Sequence, residues 1–166
     1  PLFDTSKGTS FSSMFSTCYS LQSVPLFDTS KGTSFSSMFS TCYSLQSVPL
    51  FDTSKGTSFS SMFSTCTSLQ TIPLLDVTAA TGSGAFTTMF TSCPNLKKGA
   101  MSGSKSTISY MSCSLSRNDM LDIFSNLAET GSIPCSITCS YNHGVVDLTA
   151  ADTASVINKG WTIKLT

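Results

Sequence analysis

The chain has 166 residues, with nine basic and nine acidic side chains and a formal net charge of zero; 34 Ser and 23 Thr supply most of its polarity. This balance excludes the basic surface that a nucleic acid or an anionic membrane requires, and no apolar run approaches the ~20 residues of a membrane helix. Hydrophobic residues make up 40%, twelve Phe and seven Met among them, which is too much apolar surface for disorder. The chain opens at Pro1 with neither an initiator Met nor a signal peptide, so it reads as a fragment or a processed product.

The first elements are repeats. Residues 1–24 and 25–48 are identical, and residues 49–72 differ from them only at Thr67, Thr71 and Ile72. A fourth unit, 73–96, carries three extra residues ahead of its Met. A period of 24 is that of a coil which must stack on its neighbours to bury its apolar side. Within a coil, Phe35, Met38, Phe39 and Cys42 fall at i, i+3, i+4 and i+7, the spacing of one helix face, with Ser34 as N-cap. The same positions recur as Met14, Phe15 and Cys18, then Met62, Phe63 and Cys66, then Met89, Phe90 and Cys93. Together they form an expected core ladder. Leu45, Val48 and Leu50 follow as a short strand, interrupted by Pro49, which cannot donate to a ladder. Asp52 to Gly56 forms the return turn, where Gly56 supplies conformational freedom.

The pattern Met-Phe-x-x-Cys-x-Ser-Leu-x-x-(Ile/Val)-Pro, followed by (Phe/Leu)-Asp-Thr-Ser, resembles the BspA-type leucine-rich repeat of bacterial surface proteins, with close relatives in phage tail-fibre and adhesin proteins. The resemblance implies an α/β solenoid: a right-handed leucine-rich-repeat superhelix of ~24-residue strand-turn-helix coils. Residues 1–96 would form four coils (1–24, 25–48, 49–72, 73–96), and residues 97–166 a degenerate repeat and C-terminal cap. In such repeats the residue before Asp-Thr-Ser points inward. Simple alternation from Val48 would instead bury Leu50 and expose Phe51, so the sequence leaves both registers open.

After Leu96 the 24-residue phase is lost. Leu96, Gly99 and Met101 fit one degenerate strand. Ile108–Leu115 alternates as another, with Met111, Cys113 and Leu115 on one face. Ser116 to Asp119 reads as a capping box opening a helix through Met120, Ile123, Phe124 and Leu127. Residues 133–139 alternate as a strand. Thr149 to Asp152 opens a further helix through Ala154, Val156 and Ile157, stopped by Gly160. Trp161–Leu165 is a last strand. The longer helix and this strand are expected to close the C-terminal end of the stack, whereas the first coil is left uncapped.

The chemistry-bearing residues point away from catalysis. The stacked Cys18, Cys42, Cys66 and Cys93 are expected as buried free thiols; Cys113 with Cys135 or Cys139 is the pair best placed to bridge. Cys135, Cys139 and His143 are four apart, but on a strand that separates them by ~13 Å, so no metal is expected. No catalytic motif surrounds His143, the single histidine, and neither an enzyme activity nor a cofactor is expected. Asp4, Asp28, Asp52 and Asp76 stack beside Lys7, Lys31 and Lys55; the two columns are expected to neutralise one another, with turn capping by Asp as an additional role. The strand surface remains: Gln22, Gln46 and Gln70, with Ser23, Ser47 and Thr71, form outward rows, and Tyr19 and Tyr43 a second row. These rows are either plain solvated surface or a ligand-reading face.

The expectation is therefore a non-enzymatic adhesion module, extracellular, on a cell surface or on a virion, that binds a host-surface glycan or protein. The alternatives are a structural repeat that self-associates through its uncapped N-terminal coil into filaments, and an ice-binding protein.

Overall fold

A computed structural model describes residues 4–166 of the chain. The 24-residue units stack as coils joined by backbone hydrogen bonds. Phe35, Ser37, Phe39 and Thr41 donate their N–H groups to the carbonyls of Ser58, Ser60, Met62 and Ser64 at 2.7–2.9 Å. The same set recurs one coil earlier and one coil later.

This ladder explains why the apolar stripe is not on a helix, contrary to the expected strand-turn-helix coil. An α-helix consumes every interior N–H within its own turns. Here every second N–H goes to the next coil, and only Met38, Ser40 and Cys42 bond back, three residues, to Phe35, Ser37 and Phe39. The result is a chain of β-turns. Ser37 and Thr41 occupy the third positions of the turns 35–38 and 39–42, with φ of 54° and 64°, the requirement of a type II turn. The equivalent residues are Ser13 and Thr17, Ser61 and Thr65, and Thr88 and Ser92, all at positive φ. An i, i+3, i+4, i+7 pattern is satisfied by this turn ladder as well as by a helix, so periodicity could not separate them.

Positive φ strains residues that carry a Cβ, by about 1–3 kcal/mol each, and most of all β-branched ones. Thr65→Asn removes the branch from a half-buried site while keeping the N–H that binds Thr91. It is expected to stabilise the fold by about 1 kcal/mol, read as a rise in the urea midpoint; an unchanged or lower midpoint would show that the left-handed site carries no strain.

Stacking turns the stripe into columns. Phe11, Phe35, Phe59 and Phe86 form one, with centroids 5.6, 5.3 and 5.8 Å apart. Phe15, Phe39, Phe63 and Phe90 form a second, at 5.5, 5.7 and 6.0 Å. Phe27 and Phe51 make a third, at 4.8 Å, continued by Leu75. The open register is thereby decided: Phe51 is buried, and Leu50 is 61% exposed. Gly56 is not one of the positive-φ residues. A Cβ there would run into the ring of Phe59, so the glycine serves packing and not backbone freedom.

The core ladder is buried from the second coil onward. In the first coil Met14 and Cys18 are exposed and Phe15 is half-buried. These three differ from the expectation because no coil of the described residues lies over them.

The stack also continues past Leu96. Tyr110 packs on Phe90 at 5.0 Å, and Cys113 N–H bonds back to Tyr110 as Cys18, Cys42 and Cys66 bond back to Phe15, Phe39 and Phe63. Tyr110–Cys113 is thus the turn unit of a fifth coil, reached after only 20 residues instead of 24 or 27. The expected long strand over 108–115 is cut to Ile108–Ser109 by this turn, which leaves Met111 half exposed. Parallel pairing links β1 (Leu75–Asp76) to β2 (Met101–Ser102), and β3 (Ile108–Ser109) to β4 (Cys135–Thr138) to β5 (Trp161–Lys164).

Between these strands lie α1 (Arg117–Asn126) and α2 (Ala150–Ile157), the first opened by the expected capping box at Ser116/Asp119 and the second by a capping box at Thr149/Asp152, where a helix start was expected. Arg117 grips Asp152 with two bonds of 3.0 and 2.9 Å and joins the two helix starts. Ile157 is exposed and lies outside the buried face of α2, where Val156 alone is buried. Trp161 is buried, and its indole N–H donates to Ala128 at 2.8 Å.

Candidate functional site

The outward surface of the coils is built by the short segment after each Cys. Leu45 and Val48 point into the core, which forces Gln46 and Ser47 outward. The coils align these positions: Gln46 N–H donates to Gln22 C=O at 3.3 Å, and Gln70 N–H to Gln46 C=O at 3.0 Å. Ser47 pairs with Thr71 in parallel, and Thr71 with Lys98. Gln22, Gln46, Gln70, Ser23 and Ser47 are exposed, and Thr71 is half-buried. The structure therefore brings these six residues onto one face in register.

Two features of this face escaped the sequence reading. The amide row runs on into Lys97, whose N–H bonds Gln70 at 2.8 Å, and the hydroxyl row into Lys98. Both lysines are exposed. The lost 24-residue phase hid them. On the other side of the prolines lies a row of exposed leucines, Leu26, Leu50 and Leu74, at 67%, 61% and 50%. Their signal was the unresolved choice between Leu50 and Phe51.

Tyr19 and Tyr43 stack at 5.2 Å, with both rings exposed. Their faces cover one another, so they present edges and hydroxyls outward. Thr67 succeeds them and donates to the Tyr43 carbonyl at 3.3 Å.

The aspartate column caps turns. Asp28 Oδ1 accepts from Ser30 N–H, Asp52 Oδ1 from the N–H and hydroxyl of Ser54, and Asp76 Oδ1 from those of Thr78. Hydrogen bonds from Ser6, Ser30 and Ser54 hold Asp4, Asp28 and Asp52 below the ordinary carboxylate range. Turn capping is the larger of the two expected roles, and the charges of Lys31 and Lys55 add a smaller lowering of these carboxylates. Among the described residues the ion pair is Arg117–Asp152, and the Lys column does not bridge to the Asp column.

All seven cysteines are free thiols, so the bridge between Cys113 and Cys135 or Cys139 is not formed. Each buried ladder sulfur has a directional partner. Cys42, Cys66 and Cys93 donate S–H to the carbonyls of Phe15, Phe39 and Phe63, each at 3.0 Å. The ladder cysteine is therefore a stitch between coils as well as a filler of space. Burial raises these thiols: Cys42 to about 11, Cys93 and Cys139 to about 12, and Cys66 and Cys113 higher still. Only the thiolate reacts, so at pH 8 the native protein is expected to label rapidly at the exposed Cys18. The buried thiols should label only on denaturation. Mass mapping of the modified residues checks this, and fast labelling of Cys66 would overturn the stitched arrangement. No three His, Cys, Asp or Glu side chains gather as a metal site among the described residues.

Near-identical coils stitched by backbone, thiol and ring contacts, with aligned outward rows, define a repeat protein. Residues 2–104 match the family described as Mycoplasma protein of unknown function, DUF285, and the chain belongs to that family. Neither a curated protein nor a solved structure matches the chain.

Proposed function

We propose that the protein is a non-enzymatic recognition module of the BspA-like leucine-rich-repeat kind, with kin among phage tail-fibre proteins, and that it works at a cell surface or on a virion. Its ligand is a host-surface glycan or protein, held on the strand face. The observation that supports this reading is the repetition of chemistry at coil spacing. Amides of Gln22, Gln46 and Gln70, hydroxyls of Ser23, Ser47 and Thr71, and apolar tips of Leu26, Leu50 and Leu74 lie in parallel rows. A ligand with its own repeat meets the same three groups at each step. Several weak contacts in series then act as one strong one. The rows combine hydrogen-bonding edges with an apolar strip, the mixture that specific polar-ligand surfaces use.

A screen over immobilised glycans and host-surface proteins tests this, with wild type beside a Gln46→Ala/Leu50→Ala double variant. Binding to a defined ligand, weakened in the double variant at unchanged melting temperature, supports the reading. Binding that ignores both substitutions, or its absence across the panel, overturns it.

A further inference from the structure

Among the described residues, the turn ladder that joins the coils is interrupted at one junction. Phe59, Ser61, Phe63 and Thr65 of the third coil donate their N–H groups to Ala85, Thr87, Met89 and Thr91 of the fourth. The corresponding N–H groups of Phe86, Thr88, Phe90 and Ser92 have no protein acceptor on the fifth coil. The break has defined limits. At one end the Ser106 hydroxyl donates to Gly82 C=O at 2.9 Å. At the other, Ser114 N–H donates to Leu96 C=O at 2.9 Å. On the strand side the same two coils stay paired, Leu75 with Met101 and Asp76 with Ser102. The Phe90–Tyr110 contact at 5.0 Å closes the floor.

The product is a slot on the turn face. Its middle is a cavity of about 300 Å³ whose polar lining includes Thr87, Thr88, Thr107, Ser109 and Lys164. A second cavity of about 300 Å³ adjoins it, shares Gly84 and Thr107, and brings in Lys105. No carboxylate side chain lines either cavity.

Unpaired backbone donors beside a buried core are costly, so they favour an acceptor. Backbone N–H groups flanked by cations and free of carboxylates favour an acceptor that is charged. The spacing limits its size. Coils 5.0 Å apart at the floor leave no room for an inserted strand, which needs ~4.8 Å on each side. A small oxyanion with its carrier outside fits.

We propose that this slot binds a saccharide bearing a sulfate or carboxylate. The oxyanion would lie against the N–H groups of Thr88 and its neighbours, between Lys105 and Lys164, with the sugar hydroxyls on Thr87, Thr107 and Ser109. The site is separate from the strand face and does not depend on the reading given to those rows.

Amide chemical shifts followed by NMR test the proposal. The probes are a sulfated disaccharide, a uronate-containing disaccharide, a neutral disaccharide and inorganic sulfate. The expected result is that one or both anionic sugars shift the Phe86, Thr88, Phe90 and Ser92 amides, with affinity falling as salt rises. Lys105→Gln/Lys164→Gln should weaken binding roughly tenfold or more, as loss of charge-assisted bonds implies, without lowering the melting temperature. Gln46→Ala, on the other face, should change nothing. Equal binding of the neutral sugar, equal binding of sulfate alone, shifts elsewhere than these amides, or full affinity in the lysine double variant would each overturn the proposal.

Discussion

Phe63→Ala is expected to lower stability by about 3–5 kcal/mol, among the largest losses available to a single side chain here. Phe63 is fully buried and has a ring on each side, Phe39 at 5.7 Å and Phe90 at 6.0 Å. Removing it empties the middle of a column, and neither neighbour can collapse inward because each is held by its own coil's hydrogen bonds. Phe15→Ala makes the same chemical change in the first coil, where the ring is half-buried and has one stacked neighbour in its column. Its loss should be clearly smaller. Urea unfolding of the two variants checks the pair. Equal losses would mean that the columns do not transmit packing along the stack as described.

Asn142→Leu is expected to cost about 2–4 kcal/mol, for a different reason. Asn142 is buried at the position where the earlier coils place cysteine. Its Nδ2 donates to the carbonyls of Tyr110 at 2.7 Å and Cys139 at 2.8 Å, and its Oδ1 accepts from Leu115 N–H at 3.0 Å. Leucine keeps the volume, strands Leu115 N–H and the Cys139 carbonyl, and leaves the Tyr110 carbonyl with only the Cys113 N–H. Asn142→Cys separates the two halves of the role: a thiol can reach the Tyr110 carbonyl as Cys42, Cys66 and Cys93 reach theirs, but it is a poor acceptor for Leu115 N–H. It should recover part of the loss and not all of it. A cysteine variant no better than leucine would refute the equivalence of these positions.

Much of this architecture could be read directly. Exact repetition of residues 1–24 announced stacked coils, and the Met-Phe-x-x-Cys positions announced which side chains they bury. Ser116/Asp119 and Thr149/Asp152 announced two helix starts. The failures share a physical cause. A coil's local conformation is decided partly by donors and acceptors 24 residues away, and single-segment periodicity does not see them. Phe35–Cys42 therefore reads as a helix, although half its N–H groups belong to the next coil. The fifth coil was hidden because its spacing is 20 residues, even though Tyr-Met-Ser-Cys at 110–113 parallels Phe-Thr-Ser-Cys at 90–93. The rows of the strand face were legible down to Gln22, Gln46 and Gln70. Their continuation into Lys97 and Lys98, and the outward leucines, needed the register that only stacking defines. The slot was not legible at all, since it consists of bonds that are not made.

That slot also sets how the chain comes apart. A stack of coils is a one-dimensional array whose cooperativity is carried by neighbour-to-neighbour coupling. Every turn-side junction within the first four coils carries four backbone bonds, and the junction after the fourth carries them only on its strand side and at one end of the slot, the Ser106 hydroxyl closing the other. Coupling is weakest there, so fluctuations that open the array should stop at this seam instead of sweeping the chain. Amides of the second and third coils would then exchange with one common free energy and those of the β3–β4–β5 sheet with another. One protein would behave as two cooperative blocks that share a hydrophobic column.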